Sequence, residues 1–241
     1  PVLATVVLVQ VQVIVERVMA SSLVSGSVSS LNFAYKILNL PAGLLALTIS
    51  TALLPTLAAA ASCKRQEEFH KRTLESHTML VWLVAPLSGF LVLCAAPIVT
   101  LAFQRGAFTV ADAEVTARVL ACYGLALLPL AGTFLLTRVF FALNDTLTPA
   151  IVKVIATALN IAALTLLLPK IGIVAVPICF SGMYLINYVA LLYAFARQNP
   201  GATFSLLREV FIASVAAIAA SVAGYSAAPA ASSALVSRLL T

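Results

Sequence analysis

Three ionisable residues stand inside stretches otherwise apolar enough to cross a bilayer: Glu16 and Arg17 within residues 2–24, and Lys36 within residues 31–60. A charge at membrane depth costs a few kcal/mol, roughly 2.5–3.5 on insertion scales, unless it meets a partner or a wet cavity. The chain of 241 residues is 62% hydrophobic and only 9% charged, so these positions imply an internal polar site. Whichever cation the acid takes, the other is left over. A surplus cation in a membrane cavity suits an anion, phosphate foremost. The expected chemistry is recognition and transport.

If the first span runs outward and the second returns, all three residues lie at similar depth, roughly 10 Å below the outer surface. A Glu16–Lys36 pair across this hairpin is therefore expected, with Arg17, about 100° further round its helix, facing something else. On the second span Asn32, Lys36, Asn39 and Gly43 follow i, i+4, i+7, i+11 spacing and share one face. Asn32 and Asn39 thus join Lys36, Arg17 and Glu16 as candidate substrate-binding residues. Gln12 stands four residues before Glu16, and Gln10 shares a face with Arg17. Interhelical hydrogen bonding would account for the Asn and Gln residues, but less well for the charges. Lys153, Thr157 and Asn160 repeat the spacing in a later span, where Lys153 is expected to snorkel to the membrane edge. Tyr184 and Asn187 are expected to be packing residues.

Other chemistries find no support. The sequence contains no HExxH, no GxSxG elbow and no P-loop, so neither an enzyme nor an ATP-driven pump is expected. Cys63, Cys94, Cys122 and Cys179 are scattered, without CxxC or Cys/His spacing; the last three read as small apolar packing residues. His70 and His77 would share a helix face, but with no further ligand at metal spacing they read as solvated surface histidines. No metal or cofactor is expected. The net charge of +6 fits cytoplasmic loops, and no basic arm suggests nucleic acid.

The elements that must position these residues follow from a mean hydropathy of +1.10. The class is an all-α polytopic membrane protein, since a barrel would need alternating, strand-length segments. About seven transmembrane helices are expected, near 2–24, 31–60, 79–103, 117–140, 149–168, 172–196 and 206–226. The second exceeds what a bilayer needs and contains Pro41, so a tilt, kink or cytoplasmic extension is expected. Pro86, Pro97, Pro129 and Pro177 interrupt other spans. Lys64, Arg65, Lys71, Arg72, Arg138, Lys153, Arg197 and Arg208 would lie inside if the chain starts there, against Arg105, Arg118 and Lys170 outside; this favours a cytoplasmic start. Segment 62–78 reads as a cytoplasmic helix running into the next span, segment 199–205 as a turn, and residues 227–241 as a span cut short. Beginning at Pro1 and directly with a span, the chain reads as a fragment of a longer protein.

Three stretches together resemble one family, the MurJ/MviN lipid II flippases of the multidrug/oligosaccharidyl-lipid/polysaccharide exporter superfamily. They are ASSLVSGSVSSLNFAYKILNLPAGLLALTISTALLPTLAAAA (20–61), QRGAFTVADAEVTARVLACYGLAL (104–127) and RVFFALNDTLTP (138–149). The resemblance implies two six-helix lobes around a central cationic cavity, with two further helices forming a lipid-facing groove. Residues 1–198 would be the second lobe; 199–241 would be a connecting turn, an additional transmembrane helix and a truncated tail. Lys36 falls where the family usually carries a cavity arginine, so charge is kept while the bidentate fork is lost. Glu16-Arg17 resembles an acidic-basic pair of the preceding helix. Tyr35-Lys36 stands where Asp-Arg is frequent, and Asn39 at a frequently acidic position, leaving the site more positive.

The implied function is transport of an undecaprenyl-diphosphate-linked peptidoglycan precursor across the bacterial inner membrane by alternating access. Its partners would be that lipid-linked anion, membrane lipid and the missing N-terminal lobe. Alternatives are export of another lipid-linked oligosaccharide or a drug, or a non-transporting scaffold of cell-wall assembly.

Overall fold

The computed structural model describes residues 2–21, 23, 26–62, 66–103 and 108–198. The expected seventh span, 206–226, lies outside them. The described residues form α1 (Val2–Ser21), α2 (Ser27–Ser62), α3 (Gln66–Leu93), α4 (Ala95–Phe103), α5 (Val110–Gly124), α6 (Leu127–Ala142), α7 (Leu147–Ile171), a 3₁₀ turn (Gly172–Val174) and α8 (Ala175–Gln198). No strand occurs among them.

Among the described residues, Glu67–Leu93, Val110–Ala142 and Leu147–Arg197 are long and apolar enough to cross a membrane. The last contains both α7 and α8. As read from segment 62–78, α3 begins in the polar stretch, at Gln66, and runs on into the third span, which α4 completes after a turn at Cys94. The expected fourth span is likewise two helices, α5 and α6. Prolines explain where such breaks fall. Pro97, Pro129, Pro149 and Pro177 each sit in the first turn of a helix, where the missing N–H has no partner to lose. Pro41 and Pro86 behave differently: α2 runs through Pro41, and α3 runs through Pro86, which was expected to interrupt its span. At 36 residues α2 is about 54 Å long, well beyond the roughly 30 Å apolar core of a bilayer. The extension is therefore observed without a break.

Two local devices fix the ends. Thr109 and Asp112 form a capping box at α5: the Asp112 N–H donates to Thr109 Oγ1 at 3.2 Å and the Thr109 N–H to Asp112 Oδ2 at 2.9 Å. The LND turn joins α6 to α7 more tightly. Asn144 takes φ 59°, a conformation Asn tolerates. It lets the Asp145 N–H donate to Phe140 O at 2.9 Å and the Asn144 N–H to Phe141 O at 3.0 Å, the Schellman pattern. The Asp145 carboxylate then accepts from the backbone N–H of Leu147 and Thr148 and from the Thr148 hydroxyl. These bonds, led by the Thr148 hydroxyl, hold its pKa below the usual carboxylate range.

Side chains identify the two ends of the bundle. Phe69 of α3, Phe140 of α6 and Phe195 of α8 share one buried cluster, with Val152 of α7 packed against it. We call that end inner, after the Lys/Arg distribution. At the outer end Phe33 of α2 meets Phe103 and Phe108, with ring centroids 4.7 and 5.6 Å away. Between them runs the main core, centred on Leu38, Val84, Leu120, Leu127, Leu135 and Leu164.

Candidate functional site

Glu16 lies in the outer half of α1, half-buried, and its partners are neutral. Its Oε1 accepts from Gln12 Nε2 at 2.9 Å, one turn back, and from Asn160 Nδ2 of α7 at 3.1 Å. Gln12 and Asn160 are themselves buried, and Asn160 Oδ1 has no hydrogen-bond partner. The expected Glu16–Lys36 ion pair is not formed. Lys36 is exposed on α2, its ammonium 5.8 Å from the Phe33 ring centroid. The cause is azimuth. Depth placed the two residues level, but α1 packs chiefly against α7 and only lightly against α2, so Glu16 turns to the helix it touches.

Glu16 opens onto a cleft of about 70 Å³ lined by Gln12, Arg17, Asn32, Tyr35 and Tyr184, among others. That volume admits a few atoms of a ligand, not a sugar headgroup. Its floor is aromatic: the Phe180 ring lies 4.8 Å from Tyr184, 5.3 Å from Tyr123 and 5.9 Å from Tyr35, centroid to centroid. Edge contacts of this kind favour close-packed, stiff walls. Arg17 lines the cleft but is itself exposed, as expected from its turn away from Glu16. Of the five candidates, the structure brings Glu16, Arg17 and Asn32 to this cleft. Lys36 and Asn39 are exposed on α2 and do not line it.

Lys153 departs from its expected snorkelling pose. Its ammonium is turned into the bundle, 4.5 Å from the Tyr184 ring centroid and 3.9 Å from Met183 Sδ. Tyr184, expected only to pack, is thus both a wall of the cleft and a seat for this cation. The Lys153–Thr157–Asn160 spacing was the available signal, because it aligns Lys153 with the residue that holds Glu16. The Tyr35–Tyr123–Tyr184 grouping had no such signal, since those rings come from three separate helices.

The histidines also differ from expectation. His77 is fully buried, shares a hydrogen bond with the Tyr188 hydroxyl and stacks on that ring at 6.0 Å. His70 is half-buried, with its ring edge-on to Phe69 and Phe195. The polar character of segment 62–78 hid an apolar face: Phe69, Thr73, His77, Leu80 and Val84 fall on one side of α3 and are all buried. Among the described residues no cluster of His, Cys, Asp and Glu could hold a metal. Cys179 is buried and free, Cys94 and Cys122 half-buried and free; Cys63 lies outside the described residues.

The family model described as lipid II flippase MurJ matches residues 1–237. A probable lipid II flippase MurJ of Bdellovibrio bacteriovorus is 32% identical over 200 residues, which are 83% of this chain and 38% of that protein. The corresponding protein of Helicobacter pylori strain J99 is 31% identical, over 79% of this chain and 41% of its own length. This chain therefore spans about two fifths of the relatives it matches. A solved lipid II flippase MurJ in an inward closed conformation superposes with a TM-score of 0.72 at 22% identity, covering 99% of this chain and 53% of that one. That likeness carries the fold. With the family model matching nearly from end to end, the chain belongs to the lipid II flippase MurJ family.

Proposed function

We propose that this chain is the second lobe of a transporter that flips a diphosphate-linked peptidoglycan precursor, lipid II, across the bacterial inner membrane. Residues 1–198 would form the lobe, with 199–241 supplying the connecting turn, a further helix and a tail. One observation carries the reading: Arg17 of α1 and Lys36 of α2 are both exposed within otherwise apolar helices, and neither has a carboxylate partner among the described residues. Cations facing hydrocarbon are costly, so this face of α1 and α2 needs a wet or protein-lined neighbour. A first lobe, which the longer relatives have room for, would supply it.

The exposed face of α2 continues through Asn39 and Gly43. It offers amide dipoles and small-residue space beside the Lys36 charge. The two cations would attract the diphosphate while the lipid tail stays in the bilayer, and rocking of the lobes would carry the headgroup across. The chemistry is movement rather than bond making.

The runner-up, a non-transporting scaffold of cell-wall assembly, draws on Tyr35. Its ring packs against Tyr123 and Phe180, a structural use of a position where the family resemblance leads one to expect an acid. Complementation of a flippase-depleted strain by the whole protein separates the two. Lys36→Ala abolishes growth at unchanged protein level, and Lys36→Arg preserves it. Normal growth of Lys36→Ala would sink the transport role of this residue and favour the scaffold.

A further inference from the structure

We propose that Lys153, not Lys36, is the counter-ion of Glu16, and that this internal pairing leaves Arg17 and Lys36 both free for an anionic ligand. The pairing stands on geometry. Lys153 lies seven residues before Asn160 on α7, on the same helix face, and Asn160 already grips Glu16 at 3.1 Å. The Lys153 ammonium points away from the membrane edge and rests on Tyr184, a wall of the cleft onto which Glu16 opens.

Its contacts there are soft, a ring face and the Met183 sulfur at 3.9 Å. An ammonium has three strong donors, and taking it from water without oxygen acceptors is costly. The ion pair is not closed in this structure: Lys153 touches Tyr184 and Met183, Glu16 accepts from Gln12 and Asn160, and Tyr184, which lines the cleft with Glu16, stands between them. The buried Asn160 Oδ1, an acceptor without a donor, stands on the face that links them.

The charge count at the cleft changes accordingly. If Glu16 neutralised Lys36 or Arg17, one cation would remain. With Lys153 as its partner, two remain. The pairing also joins α1 electrostatically to α7 and α8, so α1 moves with that pair of helices. The consequence for ligand binding rests on the transport reading above; the pairing itself does not.

The test is a double-mutant cycle in the whole protein, read as melting temperature in detergent. Glu16→Gln and Lys153→Met each strand one buried charge and lower the midpoint by about 5–10 °C. The double variant strands none and falls by less than either single variant. Lys153→Arg, which keeps the charge, stays near wild type. A double variant that falls by the sum of the singles, or Lys153→Arg falling as far as Lys153→Met, overturns the pairing in favour of simple packing on Tyr184. Complementation by Arg17→Ala and Lys36→Ala is scored separately: growth there would defeat the transport reading while leaving the cycle, and hence the pairing, intact.

Discussion

Two groups of polar side chains within the helices are treated in opposite ways. Toward the inner end, His77 and Tyr188 form a neutral pair close to Leu136, Val139, Phe140, Leu191 and Phe195, with His77 wholly buried. In the outer half, Glu16 and Arg17 are ionisable, line a cleft and lie beside a helix face left open, and Lys153 reaches the cleft wall Tyr184 from the inner side. The inner pair joins α3 to α8 and offers nothing to a ligand. Each group keeps one buried atom without a partner, His77 Nδ1 in the inner pair and Asn160 Oδ1 in the outer group, so what sets the outer group apart is its opening to the surface at exposed Arg17. A buried polar group that is sealed and neutral is interhelical glue. One that is charged and open has work outside its own bundle.

Substitutions at glycine sharpen this contrast most. A Cβ on Gly132 would overlap the Tyr188 ring, whereas a Cβ on Gly43 would meet nothing within 4 Å. Gly132→Ala should cost about 1–3 kcal/mol by overpacking, lowering the melting temperature of the whole protein. Gly43→Ala should leave it unchanged or slightly raised, because alanine favours helix. Equal losses at both glycines would erase the distinction between a sealed face and an open one.

A smaller effect is expected from Tyr188→Phe, which strips the hydroxyl from buried His77 and should cost about 1–2 kcal/mol of stability. Complementation should survive, since the inner pair is not a ligand site. Loss of growth with normal stability would break the comparison by giving the inner pair a direct part in transport.

The smallest effect concerns the α6–α7 turn at the inner end. Asp145→Ala removes the carboxylate that accepts three hydrogen bonds and should cost about 1 kcal/mol, as for a lost helix cap. The folded pKa of Asp145 is depressed, so its contribution is present above the ordinary carboxylate range, about pH 4, and fades as pH falls through the lower folded value. Thermal melts of wild type and Asp145→Ala should therefore differ at neutral pH and converge in acid. A gap that persists in acid would show that the carboxylate charge is not what stabilises the turn.

Much of this was legible in the residues. Charges inside apolar runs drew attention to Glu16 and Arg17, which line one cleft, and to Lys36, which does not. The Gln12–Glu16 spacing named a real hydrogen bond, and RVFFALNDTLTP contains the two-way turn that closes α6 and starts α7. What escaped was rotational position and order of packing. Counting residues gives the height of Lys36 along its helix, but not which neighbour that side of the helix meets. Chain order suggested that α1 would lean on α2, while the bundle sets it chiefly against α7. Lys153 was misjudged for the same reason: six residues into α7, its stem could reach either the membrane edge or the bundle, and only the position of Tyr184 decides. His77 escaped because polar neighbours such as Lys71, Arg72 and Glu75 cover the exposed side of the helix whose other side buries it.

The unbroken length of α2 has a mechanical consequence. It carries Lys36 near one end and reaches Ser62 at the other, and a rod of about 54 Å converts a tilt of about 10° into a swing of about 9 Å at its tip. With the helix continuous through Pro41, a small repositioning of the cation near the outer surface would be magnified at the opposite end if α2 moves as one rod. Capture of charge on one side of the membrane would thus become displacement on the other.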